Sequence, residues 1–107
     1  MNHRVQTLTA FLADDPTDLF SRYALAMEYR KAGLIAECID QLYVVLQHDE
    51  NYLGAYYQLG QALVAQSRIE EALIIFQRGL DKAITASDTH TASELREAMA
   101  IMDLNTD

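Results

Sequence analysis

Apolar residues recur at three- and four-residue steps along most of the chain, which is the spacing that buries one face of an α-helix. One apolar stripe precedes a break at Ala32-Gly33 and a second follows it. The two stripes are Leu25, Ala26 and Tyr29, then Ile35, Ile39, Leu42 and Leu46. Gly33 suits the left-handed residue that commonly follows a helix end. The pattern predicts helices at about 3–13, 18–31, 35–48, 52–66, 69–84 and 88–103.

The pattern repeats after 34 residues. Identical residues then coincide at Leu19 and Leu53, Tyr23 and Tyr57, Leu25 and Leu59, Ile35 and Ile69, Glu37 and Glu71, and Leu46 and Leu80. The same step carries Leu8 onto Leu42, so the chain opens with half a unit before two whole ones. We therefore expect one domain over residues 1–107, with an opening half-repeat helix (4–18), repeat 1 (19–52), repeat 2 (53–86) and a C-terminal capping helix (87–107).

Small residues stand where the two helices of a unit must approach closely. They are Ala26 and Gly60 on the first helices, and Cys38 and Ala72 on the second helices. Larger residues at the other stripe positions are expected to fill the space between neighbouring pairs, because close packing leaves few voids. This arrangement predicts antiparallel helix pairs joined by short turns.

The second unit reads Tyr56-x-x-Leu59-Gly60-x-x-Leu63, followed by Ala72-x-x-x-Phe76 and Gly79-Leu80. With its 34-residue period, this pattern resembles the tetratricopeptide repeat. The first unit resembles it less, because Arg22 stands where the family often has an aromatic residue. The resemblance covers about residues 4–86, and the layout is similar to small stand-alone bacterial proteins of the family. It implies an all-α fold, an α-α superhelix of tandem antiparallel pairs with about six helices.

The last helix falls out of the 34-residue phase. An insertion of about two residues in the turn before it is the expected reason. Ser87-Asp88-Thr89 is typical of a helix N-cap, and Ala92, Leu95, Met99 and Met102 form the apolar stripe that follows. Ile101 lies off this stripe, so we expect it to be exposed and count it as a second candidate contact.

The first helix of each unit carries apolar side chains beyond those its core stripe needs. The family resemblance implies that these helices line a concave groove that binds extended or helical peptides. The predicted partner-binding groove consists of Phe20, Tyr23, Met27, Arg30, Lys31, Tyr57, Gln61 and Val64. Arg30 and Lys31 are expected to meet an acidic group at its rim. An alternative for Tyr23 and Tyr57 is that they fill the contact between neighbouring first helices.

The net charge of −8 argues against nucleic acid and anionic membranes as partners, because both are polyanions. No apolar run is long enough to span a bilayer and no signal peptide opens the chain, so we expect a cytoplasmic protein. Cys38 is the only cysteine, which excludes an internal disulfide bond.

Sequence motifs for catalysis do not occur. His3, His48 and His90 are scattered without metal-ligand spacing, and no glycine-rich phosphate loop is present. We therefore predict no enzyme activity, no cofactor and no metal. The predicted function is an adaptor that binds a partner protein or peptide. The alternative is a homo-oligomerising structural unit that uses the groove or the last helix as a dimer interface.

Overall fold

The computed structural model describes residues 2–104 and contains six α-helices and no strand over that range. They are α1 (His3–Asp14), α2 (Leu19–Lys31), α3 (Ile35–His48), α4 (Leu53–Ala65), α5 (Ile69–Thr85) and α6 (Thr89–Leu104). The all-α prediction is confirmed, and each helix end differs from its predicted position by at most one residue. No helix in the described range is both long and apolar enough to cross a membrane.

The helices form two compact units, with the boundary in the chain between Glu50 and Asn51. Unit 1 contains α1, α2 and α3, and unit 2 contains α4, α5 and α6. Within each unit, two helices form an antiparallel pair and a third helix packs against it. The third helix precedes the pair in unit 1 and follows it in unit 2.

The turn inside each helix pair has the same hydrogen bonding in both units. After α2, Gly33 has a φ of 79°, and the Leu34 N–H donates to the Tyr29 carbonyl at 2.9 Å. After α4, Ser67 has a φ of 61°, and the Arg68 N–H donates to the Leu63 carbonyl at 2.9 Å. This six-to-one bond around a left-handed residue ends a helix and satisfies a carbonyl that would otherwise lack a partner.

The extra residues before the last helix lie in α5, so the expected insertion in a turn is wrong. α5 has 17 residues where α3 has 14, and the turn after α5 is a residue shorter than the turn after α3. α5 therefore continues where α3 stops. It ends at a third left-handed residue, Ser87, with a φ of 57° and a bond from the Asp88 N–H to the Ala83 carbonyl at 2.9 Å.

The core follows the predicted stripes with small differences. The largest side chains that are fully buried are Phe76, Leu42, Leu59, Leu63, Leu95, Val45 and Cys38. Leu46 is only half-buried, although the stripe predicts a core position. In α6 the buried residues are Ala92, Leu95, Ala98 and Met102, while Met99 is half-buried.

The close approach of α4 and α5 depends on glycine. A Cβ atom built at Gly60 would fall on the ring of Phe76, and one built at Gly79 would lie 2.5 Å from the Cβ of Tyr56. The predicted small residues Ala26, Cys38 and Ala72 are fully buried. The small-residue positions are therefore set by packing between the paired helices.

Candidate functional site

The eight residues of the predicted groove are divided between the units, with five on α2 and three on α4. We call the first group the α2 face: Phe20, Tyr23, Met27, Arg30 and Lys31. We call the second group the α4 face: Tyr57, Gln61 and Val64.

The α2 face begins at a capped helix end. The Asp18 carboxylate accepts the Ser21 N–H at 3.0 Å and the Ser21 hydroxyl at 2.6 Å. These two bonds hold the pKa of Asp18 below its ordinary value of 3.8, and the bond from the Ser21 hydroxyl has the larger effect. The cap fixes the first turn of α2, and this turn carries Phe20.

Exposure differs along the α2 face. Phe20 is 76% exposed, which is the largest exposed fraction among the large apolar side chains that the structure describes. Tyr23 and Met27 are half-buried, and Arg30 and Lys31 are exposed. Tyr23 and Met27 are therefore partly packed and partly accessible to solvent.

Phe20 also borders a depression between α1 and α2 with a volume of about 410 Å³. Its lining residues are His3, Arg4, Thr7, Leu8, Phe11, Phe20 and Ala24, and the lining is mostly apolar. Phe11, on its α1 wall, is 51% exposed. Sequence reasoning missed Phe11, because the 34-residue step aligns it with Val45, which is fully buried.

A buried carboxylate joins α1 to α2. The Glu28 side chain is only 7% exposed, and one of its oxygens lies 3.3 Å from Nε of Arg4 and 3.9 Å from Nζ of Lys31. Its other oxygen accepts a hydrogen bond from Nδ2 of Asn2 at 3.4 Å. Sequence reasoning missed this network as well, since the aligned residue of unit 2 is Ala62 and no charge pattern marks position 28.

On the α4 face, Tyr57 and Gln61 line a smaller depression of about 130 Å³. The remaining lining residues come from α6 and are Glu94, Glu97, Ala98 and Ile101. Ile101 is 51% exposed, as predicted, and the structure places it beside Tyr57 and Gln61. Val64 is half-buried and lies outside this depression.

Tyr57 also takes part in the core of unit 2. Its ring centroid lies 6.4 Å from that of Phe76, with the ring planes tilted by 47°. Tilted aromatic pairs at this distance are favourable. Tyr57 thus has a packing contact inside its own unit in addition to the side that borders the depression.

The single thiol is not placed for chemistry. Cys38 is fully buried, and burial raises its pKa, an effect that the nearby charge of Arg30 partly opposes. A buried, protonated thiol is a poor nucleophile. Among the described residues, no group of three His, Cys, Asp or Glu side chains is arranged to hold a metal ion.

Comparison with known proteins places this architecture in a family. A tetratricopeptide repeat domain protein from Salinibacter ruber, known from a crystal structure, is 30% identical in sequence to this chain. The two structures superpose with a TM-score of 0.72, and the match covers 76% of this chain and 90% of that one. A solution structure of such a protein from Salinibacter ruber is 31% identical, with a TM-score of 0.74 and coverage of 78% and 85%.

A third solved structure, a solution structure from Bordetella parapertussis, shares the fold. Its TM-score is 0.85 at 23% identity, over 98% of this chain and 91% of that one. No family model and no curated protein sequence matches the chain. The fold is in general a non-catalytic scaffold for protein interaction. With the 34-residue period, the small residues at the helix crossings and these structural relatives, the chain belongs to the tetratricopeptide repeat family.

Proposed function

We propose that this protein is an adaptor that binds a partner protein or peptide through the α2 face and the α4 face. The observation that supports the proposal most is the exposure of Phe20, at 76%, on the same face as the half-buried Tyr23 and Met27. Contiguous apolar side chains that are exposed to water on a protein surface commonly mark an interaction site. Met adapts to partners of irregular shape, and Tyr gives contact area with few rotatable bonds.

The charges at the edge of the α2 face define the partner chemistry there. Arg30 and Lys31 are both exposed at the C-terminal end of α2. The Nζ atom of Lys31 lies 3.9 Å from the buried carboxylate of Glu28, but the Lys31 side chain is 74% exposed, so a partner's anionic group can reach it. The partner segment on this face is apolar and carries an acidic group near Arg30 and Lys31.

The α4 face has the opposite character. The depression beside Tyr57 and Gln61 is bordered by Glu94 and Glu97, with Ile101 as its apolar element. A partner segment on this face carries a hydrogen-bond donor or a basic group next to an apolar side chain. Each face is small, so the affinity at either face alone is weak to moderate.

The test is affinity capture from a cell extract with quantitative mass spectrometry. The wild-type protein is compared with Phe20→Ser, with Tyr57→Ala and with Ile74→Ser, a matched control whose side chain is 54% exposed on α5 outside both faces. Proteins that depend on Phe20 and Tyr57 but not on Ile74 support the proposal. The same captured proteins at the same abundance in all four samples would contradict it.

A further inference from the structure

We propose that the depression between α1 and α2 in unit 1, which we call the α1–α2 slot, docks an amphipathic helix of a partner protein with an acidic residue near Arg4. The inference does not rest on the proposed function, because Phe11, Leu8 and Arg4 belong to neither face defined above. Phe20 is the residue common to both proposals.

The slot has two exposed aromatic walls. Phe11 on α1 is 51% exposed and Phe20 on α2 is 76% exposed, with Leu8 and Ala24 lining the slot as well. Its volume is about 410 Å³, which accommodates several large side chains. Two accessible phenylalanines on either side of one apolar depression are typical of a site that receives a large apolar side chain from a partner.

The internal repeat indicates what kind of element covers this face. The 34-residue step carries Leu8 onto Leu42 and Phe11 onto Val45. Leu42 and Val45 are fully buried on α3, the helix that pairs with the antiparallel α2. Over residues 2–104, no helix covers the corresponding face of α1 at Phe11. The element that fits this face is therefore a helix antiparallel to α1.

The residue at the crossing position defines the charge of that helix. Arg4 aligns with Cys38, a small and fully buried residue at the crossing of α2 and α3. The Arg4 side chain is 67% exposed and uses its Nε on Glu28, which leaves the outer part of the guanidinium open to solvent. A helix on the slot meets this guanidinium with an acidic side chain, because an apolar one would desolvate the charge without compensation.

The charge of the whole chain favours a different protein over a second copy as the occupant. Each copy carries a net charge of −8, so two copies repel each other. The slot differs from this surface, since its lining contains Arg4 and no acidic residue, and the Glu28 carboxylate that pairs with Arg4 is only 7% exposed. An acidic side chain of the partner helix that reaches Arg4 therefore meets an opposite charge there, although the chain as a whole is acidic.

The geometry sets the length and pattern of the partner helix. The α1 residues that line the slot run from His3 to Phe11, about 12 Å along the helix axis at roughly 1.5 Å per residue. A helix of three to four turns covers this distance. Its apolar residues recur at positions i, i+4 and i+7, and its acidic residues lie in the last turn, which an antiparallel arrangement places at Arg4.

The experiment uses the full chain and a synthetic helical peptide of about 14 residues with leucines at i, i+4 and i+7 and two glutamates in its last turn. Fluorescence anisotropy measures affinity, and amide chemical shifts locate the peptide. We expect saturable binding with the largest shifts at Thr7, Phe11, Phe20 and Ala24. Replacing the two glutamates by glutamines weakens binding by about fivefold, because the contact with Arg4 loses its ion pair while the peptide gains no positive charge that the acidic chain would attract.

Variants of the protein complete the test. Phe11→Ser and Phe20→Ser each lower the affinity by about tenfold, since each removes one aromatic wall from an exposed position. Ile74→Ser, with a side chain of similar exposure on α5, leaves it unchanged. Circular dichroism verifies that every variant keeps its helix content.

Four outcomes would overturn the inference: no binding up to about 1 mM peptide, a standard binding free energy of roughly −4 kcal/mol; shifts centred on Tyr57 and Gln61; equal affinity for Phe11→Ser and wild type; or a dimer of the chain that covers Phe11 and Phe20. Failure here is distinguishable from failure of the adaptor proposal. Phe11→Ser tests the slot alone, whereas capture that depends on Tyr57 tests the α4 face alone.

Discussion

Units 1 and 2 solve the same packing problem with different pairs of side chains. At the helix crossing of unit 2, Gly60 lies against Phe76, and the 34-residue step aligns this pair with Ala26 and Leu42 of unit 1, which are both fully buried. The larger ring of Phe76 coincides with the loss of a Cβ atom at position 60, where a Cβ would fall on that ring. We infer that packing constrains the combined volume of the two side chains at the crossing. A larger residue at one position requires a smaller residue at the other.

The third helix distinguishes the units more strongly. In unit 2, α6 buries Ala92, Leu95, Ala98 and Met102. In unit 1, α1 buries only Val5 and Leu8, and it adds the ion-pair network of Glu28. An element with few buried apolar contacts opens at low free energy. The comparison teaches that unit 2 is closed by a packed helix, whereas unit 1 is closed by a helix that leaves an apolar slot open.

The largest expected effect separates these two third helices. Leu95→Ala leaves a cavity in the fully buried core of unit 2 and lowers the free energy of unfolding by about 2–5 kcal/mol. Leu8→Ala has a smaller effect, because Leu8 borders the open slot and its environment can relax. Urea denaturation of both variants measures the difference. Equal losses would mean that α1 is packed as firmly as α6.

The next effect tests the exchange of sizes at the helix crossing. Gly60→Ala places a methyl group against the ring of Phe76 and lowers the free energy of unfolding by about 1–3 kcal/mol. The double variant Gly60→Ala/Phe76→Leu recreates the pair of unit 1 and is more stable than the sum of the two single variants predicts. The four proteins of this double-mutant cycle are compared by urea denaturation.

Gly33→Ala is the control for that cycle. A Cβ at Gly33 meets no atom within 4 Å, so any loss of stability there comes from the left-handed backbone and is not altered by Phe76→Leu. If the losses at Gly60 and Phe76 simply add, the two positions are independent and the comparison of the units fails.

The helices were predictable because two signals agreed. Apolar periodicity indicated their faces, and the break at Ala32-Gly33, which the 34-residue step carries onto Gln66-Ser67, indicated where α2 and α4 end. The three additional residues of α5 were not predictable, because helix residues and turn residues shift the phase of the next stripe equally. Periodicity counts residues between stripes and does not say which of them are helical.

The candidate sites were less accessible from sequence. Exposure of Ile101 followed from its position off the stripe and is confirmed. The roles of Phe11 and Glu28 were not predicted. The exposure of Phe11 depends on which helix lies beside α1, and the ion pair of Glu28 joins it to Arg4, 24 positions earlier in the chain. The α2 face and the α4 face remain predictions, since solvent exposure alone does not identify a partner.

A smaller effect is expected at Glu28. Glu28→Gln keeps the shape of the side chain but removes its ion pairs with Arg4 and Lys31, which weakens the attachment of α1 to α2 by about 1–3 kcal/mol. Hydrogen exchange of the backbone amides measures this weakening. We expect Glu28→Gln to speed the exchange of the α1 amides relative to wild type, and to change the exchange of the α5 amides less. Glu94→Gln, an exposed carboxylate on α6, is the matched control. Unchanged exchange in α1 would show that its apolar contacts alone hold it.

The smallest expected effect concerns acid and the helix caps. Asp18 caps α2 and Asp88 caps α6, and hydrogen bonds from Ser21 and Thr91 hold both pKa values below the ordinary 3.8. A carboxyl group with a lowered folded-state pKa stabilises the fold fully above its unfolded pKa, and this stabilisation is lost as the pH falls through the folded pKa. The melting temperature therefore drops as the pH falls below about 4.

Asparagine tests the origin of this drop, because it caps a helix without a titrating group. We expect Asp18→Asn/Asp88→Asn to fold at neutral pH with a shallower fall in melting temperature below about pH 4 than wild type. Asp14→Asn/Asp15→Asn is a poorer control, since Asp15 accepts bonds from Thr17, so Asp40→Asn on the exposed side of α3 is preferred. If the melting temperatures of the double variant and of wild type fall in parallel as the pH is lowered, the acid sensitivity lies outside these two caps. The N-terminus of α4 would not be its source, because the N-cap residue there is Tyr52 and makes no side-chain cap bond.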